Sequence, residues 1–228
     1  MKEEFSSMVT HELKTPLTPI LGWCQTLKNP KIMGELTDKQ KSAIEKIQTN
    51  AERLKQLIGD ILDAEKLELE KMKFDYVDVD IKEFFAYLES NLRDAMKPKN
   101  IKCTFSHDDN LFLKTDRNRL EQIFNNLIFN SIDFVNPDGK IVVTATDAEN
   151  MITFSVTDNG IGIPQDKIGG LFKKFYQVDT SMSREHGGTG LGLAIVKGIV
   201  DGIGGEINVK STENVETKFT FTLPKNHI

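Results

Sequence analysis

The sequence predicts a helical hairpin followed by a two-layer α/β sandwich, an α plus α/β fold class. Residues 1–72 show helical periodicity throughout, whereas residues 73–228 mix strand-like alternation with amphipathic helices. We therefore expect two domains, 1–72 and 73–228. The segment that joins them, EKMKFDY, contains no Gly or Ser, so the linker is predicted to be short and only partly flexible.

The first domain is predicted to be two long amphipathic helices. A loop containing Pro30 and Gly34 separates them, and TDKQ at Thr37–Gln40 forms a capping box that starts the second helix. A lone hairpin covers only part of the two apolar stripes, so we expect a homodimer with a four-helix bundle. The stripes consist of Phe5, Met8, Val9, Leu13, Leu17, Ile20, Cys24 and Leu27, and of Ile44, Ile47, Ala51, Leu54, Leu57, Ile58, Ile61, Leu62 and Leu67.

The second domain is predicted from segments that alternate between strand and helix patterns. Strand-like runs are YVDVD, IKCTFSH, KIVVTATD, MITFSVTD, GEINVKST and TKFTFTLP. Helical patterns are IKEFF, continuing to about Lys97, DRNRLEQIFNNLIFNSIDFV and LGLAIVKGIVDGI. Helices mixed with mainly antiparallel strands indicate one helical layer on one sheet.

Composition excludes several classes of protein. The chain is 39% hydrophobic and 28% charged with a net charge of −5, which is typical of a soluble domain and argues against nucleic-acid binding. No apolar run approaches the roughly 18–20 residues that cross a bilayer. Cys24 and Cys103 lack metal-ligand spacing and indicate a reducing compartment. We expect a cytoplasmic chain that is part of a longer protein, and this parent protein could be membrane-anchored.

Two glycine-rich segments are candidate phosphate or nucleotide loops. DNGIGIP at 158–164 follows a strand, and HGGTGLGL at 186–193 opens a helix. Neither is a Walker A loop or a GxGxxG dinucleotide loop. Either segment alone is equally consistent with a surface turn.

Two asparagines in NNLIFN have helical spacing. Asn126 and Asn130 are four residues apart and therefore share one face of the predicted helix. An asparagine oxygen can complete a Mg²⁺ shell shared with phosphates. Without further context, such residues are usually part of the surface.

Together, five segments in order resemble the catalytic core of the sensor histidine kinases of two-component signalling. THELKTPL resembles the H box, NNLIFN the N box, DNGIGIP the G1 box, LFKKFYQ the F box and GGTGLGL the G2 box. The resemblance covers essentially the whole chain. It implies a dimerisation and histidine-phosphotransfer hairpin followed by an ATP-binding domain of the Bergerat, or GHKL, type.

The resemblance implies that His11 is the phosphoacceptor and Glu12 its base or orienting partner. Thr15 matches the position that places a water for dephosphorylation of the partner regulator. At about 100° per residue, His11 lies nearly opposite the apolar stripe and is expected to face solvent. Pro16 and Pro19 each remove a helical hydrogen bond and predict a bend beside the histidine.

The resemblance also implies a nucleotide site. Asn130 would ligate Mg²⁺ with Asn126 near the phosphates, and Asp158 would accept a hydrogen bond from the adenine amino group. Gly160 and Gly162 would allow close approach. The remaining implied contacts come from the lid residues Phe172 and Phe175, and from the G2 loop residues Gly188, Thr189, Gly190, Leu191 and Gly192.

Two departures from the family pattern remove cations near the phosphates. Asp133 stands where many members have lysine, and Gln177 where many have arginine. We hypothesise that Arg184 has taken over a phosphate contact.

The expected function is ATP- and Mg²⁺-dependent autophosphorylation on His11, followed by phosphoryl transfer to an aspartate of a response-regulator receiver domain. Because of the missing cations, one alternative is a nucleotide-binding signalling pseudokinase. Another is an ATPase of the chaperone or topoisomerase kind, which would leave the His-Glu pair unexplained.

Overall fold

The computed structural model describes residues 2–178 and 189–226, and for residues 2–12 only the helical backbone. Contacts between Cα atoms divide the chain into two units, Met1–Glu68 and Leu69–Ile228. The fold class expected from the sequence is confirmed: a helical unit precedes a mixed α/β unit. Within the described residues, no helix combines the length and the apolar character needed to cross a membrane.

The first unit is a hairpin of two long helices with a short helix between them. The capping box forms as predicted, because the Thr37 N–H donates to Gln40 Oε1 at 2.9 Å and the Gln40 N–H donates to Thr37 Oγ1 at 3.4 Å. The short helix was not expected; Asn29 caps it and Pro30 occupies its first turn. The helices are α1 (Lys2–Leu27), α2 (Pro30–Met33) and α3 (Asp38–Glu68).

Helix α1 is assigned as one continuous helix that includes Pro16 and Pro19. A small core of Leu17, Ala51 and Ile58, with Leu21 packed against it, lies between α1 and α3. The bend predicted at the prolines stays a prediction.

The described part of the second unit contains seven strands. Six of these strands and the three longer helices follow the predicted order, whereas the strand Phe112–Thr115 and the short helix Gln165–Ile168 were not predicted. The first elements are β1 (Val77–Asp80), α4 (Ile81–Met96), a 3-10 turn (Lys97–Lys99), β2 (Lys102–His107), β3 (Phe112–Thr115) and α5 (Arg117–Phe134). They are followed by β4 (Lys140–Ala148), β5 (Met151–Asp158), α6 (Gln165–Ile168), α7 (Gly192–Gly202), β6 (Glu206–Thr212) and β7 (Glu216–Pro224).

The main sheet has the strand order β2-β4-β5-β7-β6, and β1 pairs with β3 in a separate two-stranded sheet. Strands β2 and β4 are parallel, while the other pairs are antiparallel. The parallel pair follows from the long crossover between these strands, which contains α5. Helix α5 anchors the core, where the Phe124 ring lies 5.6 Å from Phe154 and 5.4 Å from Phe221.

The segment that enters the second unit is fixed to two of its helices. The Asp75 N–H donates to Asp116 Oδ2 at 3.0 Å, just before α5. The Phe74 ring packs against the end of α7, where a Cβ on Gly202 would lie 2.8 Å from Phe74 Cζ. The last part of the linker is therefore bound to the α/β unit.

Candidate functional site

Helix α5 carries both predicted asparagines, and Asp116 fixes its N-terminus. Asp116 Oδ1 accepts hydrogen bonds from the N–H groups of Asn118 at 2.9 Å and Arg119 at 3.1 Å. This cap satisfies backbone donors that the helix itself leaves without partners. Asn126 and Asn130 are half-buried on the helix that follows.

The start of α7 lies against Asn126. The Asn126 amide donates to the Gln122 carbonyl at 3.0 Å, and its Oδ1 lies 2.7 Å from the position of a Cβ on Gly192. A side chain at Gly192 would therefore displace Asn126. The structure thus brings together two predicted site residues from segments 66 positions apart (192 minus 126).

Asp158 ends β5 as a buried carboxylate with only 5% of its surface exposed. The Ser131 hydroxyl donates to its Oδ2 at 2.9 Å, and the Gly160 N–H donates to its Oδ1 at 3.0 Å. Burial raises the pKa of Asp158, assisted by the charge of Glu216 and opposed by these two hydrogen bonds. Asp158 is therefore a buried acceptor whose two oxygens are each held by one hydrogen bond, and its contact with adenine stays a prediction.

The glycines after Asp158 are required by the packing of the loop itself. A Cβ on Gly160 would lie 2.6 Å from the Phe134 carbonyl oxygen, at the end of α5. Gly162 has φ +68°, and a Cβ there would collide with the Thr212 carbonyl. The loop is thus held between α5 and the end of β6, which fixes the position of Asp158.

The loop before α7 is held by its own hydrogen bonds. Thr189 Oγ1 accepts from the Leu191 N–H at 3.0 Å, and the Phe175 N–H donates to the Gly190 carbonyl at 2.9 Å. Gly190 has φ +68°, and a Cβ there would lie 2.7 Å from the carbonyl carbon of Phe175. Leu191 is buried, so its side chain packs inside the unit.

The two predicted lid phenylalanines differ in exposure. Phe172 is half-buried, whereas 71% of Phe175 is exposed and its φ is +61°. Arg184 and Gly188, which also belong to the predicted nucleotide site, lie outside the described residues.

The predicted phosphoacceptor pair belongs to α1. His11 and Glu12 lie within its helical backbone, and their side chains belong to the part that is not described. Thr15 is four residues beyond His11 and therefore on the same side of the helix; its side chain is exposed.

Two residues that the sequence did not single out support this site. Ser131 orients Asp158, and Lys99 binds the C-terminal end of α5. The Lys99 ammonium donates to the carbonyls of Ile132 at 2.8 Å, Asp133 at 2.8 Å and Val135 at 3.1 Å. No local pattern marks Lys99 or Ser131, although Ser131 directly follows the predicted ligand Asn130.

Among the described residues, no group of three or more His, Cys, Asp or Glu side chains could hold a metal ion. Mg²⁺ in nucleotide sites is held by one or two protein ligands together with substrate phosphates. Asn130, half-buried on α5, provides a suitable oxygen.

Two family models match the chain. Residues 1–70 match the His Kinase A (phospho-acceptor) domain, and residues 115–227 match the histidine kinase-, DNA gyrase B- and HSP90-like ATPase domain. The circadian input-output histidine kinase CikA of Synechococcus elongatus is 34% identical over 98% of this chain and 30% of its own length. The chain spans only 25 to 30% of the length of such curated relatives.

Solved structures of histidine kinases also resemble this chain. Full-length ShkA in complex with AMPPNP has a TM-score of 0.80 at 26% identity, over 99% of this chain and 46% of ShkA. The histidine kinase ThkA in complex with the response regulator TrrA has a TM-score of 0.64 at 25% identity, over 98% of this chain and 61% of ThkA.

Proposed function

The chain belongs to the histidine kinase family, with a phosphoacceptor domain followed by an ATP-binding domain, and we propose that it autophosphorylates on His11 and then phosphorylates a response regulator. The observation that carries the proposal is the presence of both domains in one chain. An ATPase of the chaperone or topoisomerase kind would need no phosphoacceptor domain.

In the proposed reaction, an imidazole nitrogen of His11 attacks the γ-phosphorus of ATP. A P–N bond forms while the bond from the γ-phosphorus to the bridging oxygen breaks, and ADP leaves. Glu12 accepts or orients the proton on the other ring nitrogen. Mg²⁺, held by Asn130 and the phosphates, would supply neutralisation of the phosphate charge.

The ATP-binding domain would position the nucleotide through α5 and the β5 loop. Asp158 is proposed to accept the adenine amino group, while Asn126 and Asn130 lie toward the phosphates. The 2.7 Å spacing between Asn126 Oδ1 and the Cβ position on Gly192 supports a common site for α5 and the G2 loop. The helix N-terminus at Gly192 also favours an anion.

Labelling with γ-phosphorus-32 ATP tests the proposal. We expect an acid-labile, alkali-stable phosphoprotein that His11→Gln abolishes. His107→Gln is the matched control because His107 lies on β2, with Nδ1 2.9 Å from the Asp108 carbonyl oxygen, and it should label like the wild type. A chain that binds ATP and never becomes labelled would instead be a pseudokinase.

We propose a receiver domain as the phosphoryl acceptor and Thr15 as a residue for the reverse reaction. The solved complex of ThkA with the response regulator TrrA supports a partner of this kind. Thr15→Ala should leave labelling of His11 unchanged and slow dephosphorylation of the regulator about tenfold or more, in the range of general acid–base and water-positioning effects. Equal dephosphorylation rates would remove Thr15 from this role.

We also propose that the helical unit dimerises as a four-helix bundle. Part of each apolar stripe is buried within the hairpin, yet large apolar side chains remain exposed. These side chains, 41 to 61% exposed, are Leu13, Ile20, Trp23, Ile47, Leu54 and Ile61. Light scattering should give a dimer mass for the wild type and a monomer for Ile47→Lys, and a monomeric wild type would contradict the proposal.

A further inference from the structure

Ser131 makes a hydrogen bond to a partner outside its own helix. Serine hydroxyls inside a helix commonly donate to the carbonyl four residues earlier. The Ser131 hydroxyl instead donates 2.9 Å to Asp158 Oδ2, a residue 27 positions away on β5. Only 2% of Ser131 is exposed, so the bond is shielded from water.

The Asp158 carboxylate is thereby held at both oxygens. Ser131 donates to Oδ2, and the Gly160 N–H donates to Oδ1 from the opposite, loop side. Rotation of the carboxylate would break one of these bonds. Each carboxylate oxygen has two acceptor sites, so a ligand N–H can still be accepted.

We propose that Ser131 is a positioning residue that determines the preference of this site for a 6-aminopurine nucleotide. The inference rests on the proposed function, in which Asp158 accepts the adenine amino group. Ser131 fixes the direction of the free acceptor site, and it touches the base only through Asp158.

The chemistry of the purine ring explains why a fixed acceptor selects adenine. Adenine presents an amino donor at C6, whereas guanine presents a carbonyl acceptor there. A rigid carboxylate bonds the first and opposes the second, since a site built around a substrate N–H rejects analogues that lack it. A carboxylate free to rotate would lose part of this discrimination.

The position of Ser131 in α5 connects this preference to the phosphate end of the site. Asn130 and Ser131 are consecutive, and their side chains project about 100° apart around the helix. Ser131 contacts Asp158, while Asn130 is the proposed Mg²⁺ ligand. One turn of α5 therefore aligns both ends of the nucleotide.

Nucleotide binding to Ser131→Ala tests the inference with two ligands, ATP and purine riboside triphosphate, which has hydrogen at C6. We expect the ATP affinity to fall about fivefold, with the analogue bound as tightly as by the wild type. A general structural defect would weaken both ligands. Circular dichroism and a melting curve establish that the variant is folded.

Two further variants complete the experiment. Ser155→Ala is the matched control, because Ser155 is 4% exposed and lies 2.7 Å from the Thr144 hydroxyl rather than bonding Asp158, so its preference for ATP should remain that of the wild type. Ser131→Cys nearly preserves the volume with a much weaker donor, and it should lose the preference as Ser131→Ala does.

The outcomes separate this inference from the proposed function. A wild type that prefers ATP, with Ser131→Ala and Ser131→Cys keeping the full preference, would overturn the role of Ser131 alone. Equal weakening of both ligands would also overturn it. A folded wild type that binds neither nucleotide would overturn the proposed function and this inference with it.

Discussion

Asn126 Oδ1 lies 2.7 Å from the place that a Cβ on Gly192 would occupy, so the first residue of α7 must be glycine for Asn126 to keep its position. The atom that would have to move is the end of a side chain. A substitution at Gly192 should therefore disturb the site and spare the fold.

We predict that Gly192→Ala lowers ATP affinity about tenfold, because Asn126 loses its orientation. The melting temperature should stay close to that of the wild type, since Gly192 is the first residue of α7 and the atom that must move is the end of the Asn126 side chain. Calorimetric ATP titration and thermal unfolding measure both quantities.

The matched control is Gly169→Ala, which has no atom within 4 Å of the new Cβ and a φ of −64°. This variant should bind ATP like the wild type. Wild-type ATP affinity in Gly192→Ala as well would show that Asn126 has no part in nucleotide binding.

For Asp158→Asn we predict weaker ATP binding and, for the nucleotide-free protein, a stability relative to the wild type that increases with pH. Loss of the charged acceptor should reduce affinity about 10- to 100-fold. Because burial raises the pKa of Asp158, the stability that this group contributes is fully present below pH 3.8 and falls as pH rises through the folded-state pKa. The variant's stability relative to wild type should therefore rise with pH between 3.8 and the folded-state pKa of Asp158 and stay constant above it.

Urea unfolding of the nucleotide-free chain between pH 4 and 8 measures this dependence. A stability difference between variant and wild type that does not change with pH would show that burial does not raise the pKa of Asp158. Retention of wild-type ATP affinity would separately exclude it from adenine binding.

Lys99→Met should destabilise the α/β unit by about 1–3 kcal/mol, because three carbonyls at the end of α5 lose their donor. Lys97→Met provides the comparison, since Lys97 bonds Asp94 at the surface and its loss should change little. Denaturant midpoints followed by far-ultraviolet circular dichroism rank the three proteins. Equal midpoints for the two variants would contradict a capping role for Lys99.

Gly202→Ala should displace the Phe74 ring, which would lie 2.8 Å from the added methyl group. Overpacking of this kind costs about 1–3 kcal/mol. We expect chymotrypsin to cleave after Phe74 faster than in the wild type, and the double variant with Phe74→Leu to recover stability. Unchanged cleavage would show that the ring is not held at this position.

Local patterns predicted most of the fold. Helical and alternating periodicities are properties of consecutive residues, and they identified the long helices, the hairpin β4–β5 and the strands β6 and β7. Strand β3 was missed because FLKT at Phe112–Thr115 does not alternate apolar and polar residues, whereas VDVD in the equally short β1 does. The parallel pairing of β2 with β4 depends on the crossover and has no local signature.

The supporting residues of the site were harder to predict. Ser131 and Lys99 act on partners 27 to 36 positions away, and ordinary surface serines and lysines carry the same local pattern. The glycines were predicted from their motifs, yet the contacts of Gly160 with Phe134 became visible only when α5 and β5 were placed together.

The short linker also limits how far the ATP-binding domain can move away from the helical hairpin. Helix α3 ends at Glu68, and Phe74 is already bound to the α/β unit. Six residue steps of at most about 3.6 Å separate these points, so the linker spans at most roughly 20 Å. A linker this short gives the ATP-binding domain an effective concentration at the phosphoacceptor helix in the millimolar range. Autophosphorylation is therefore expected to be first order in the concentration of the proposed dimer. The rate per molecule should not change on dilution as long as the dimer persists.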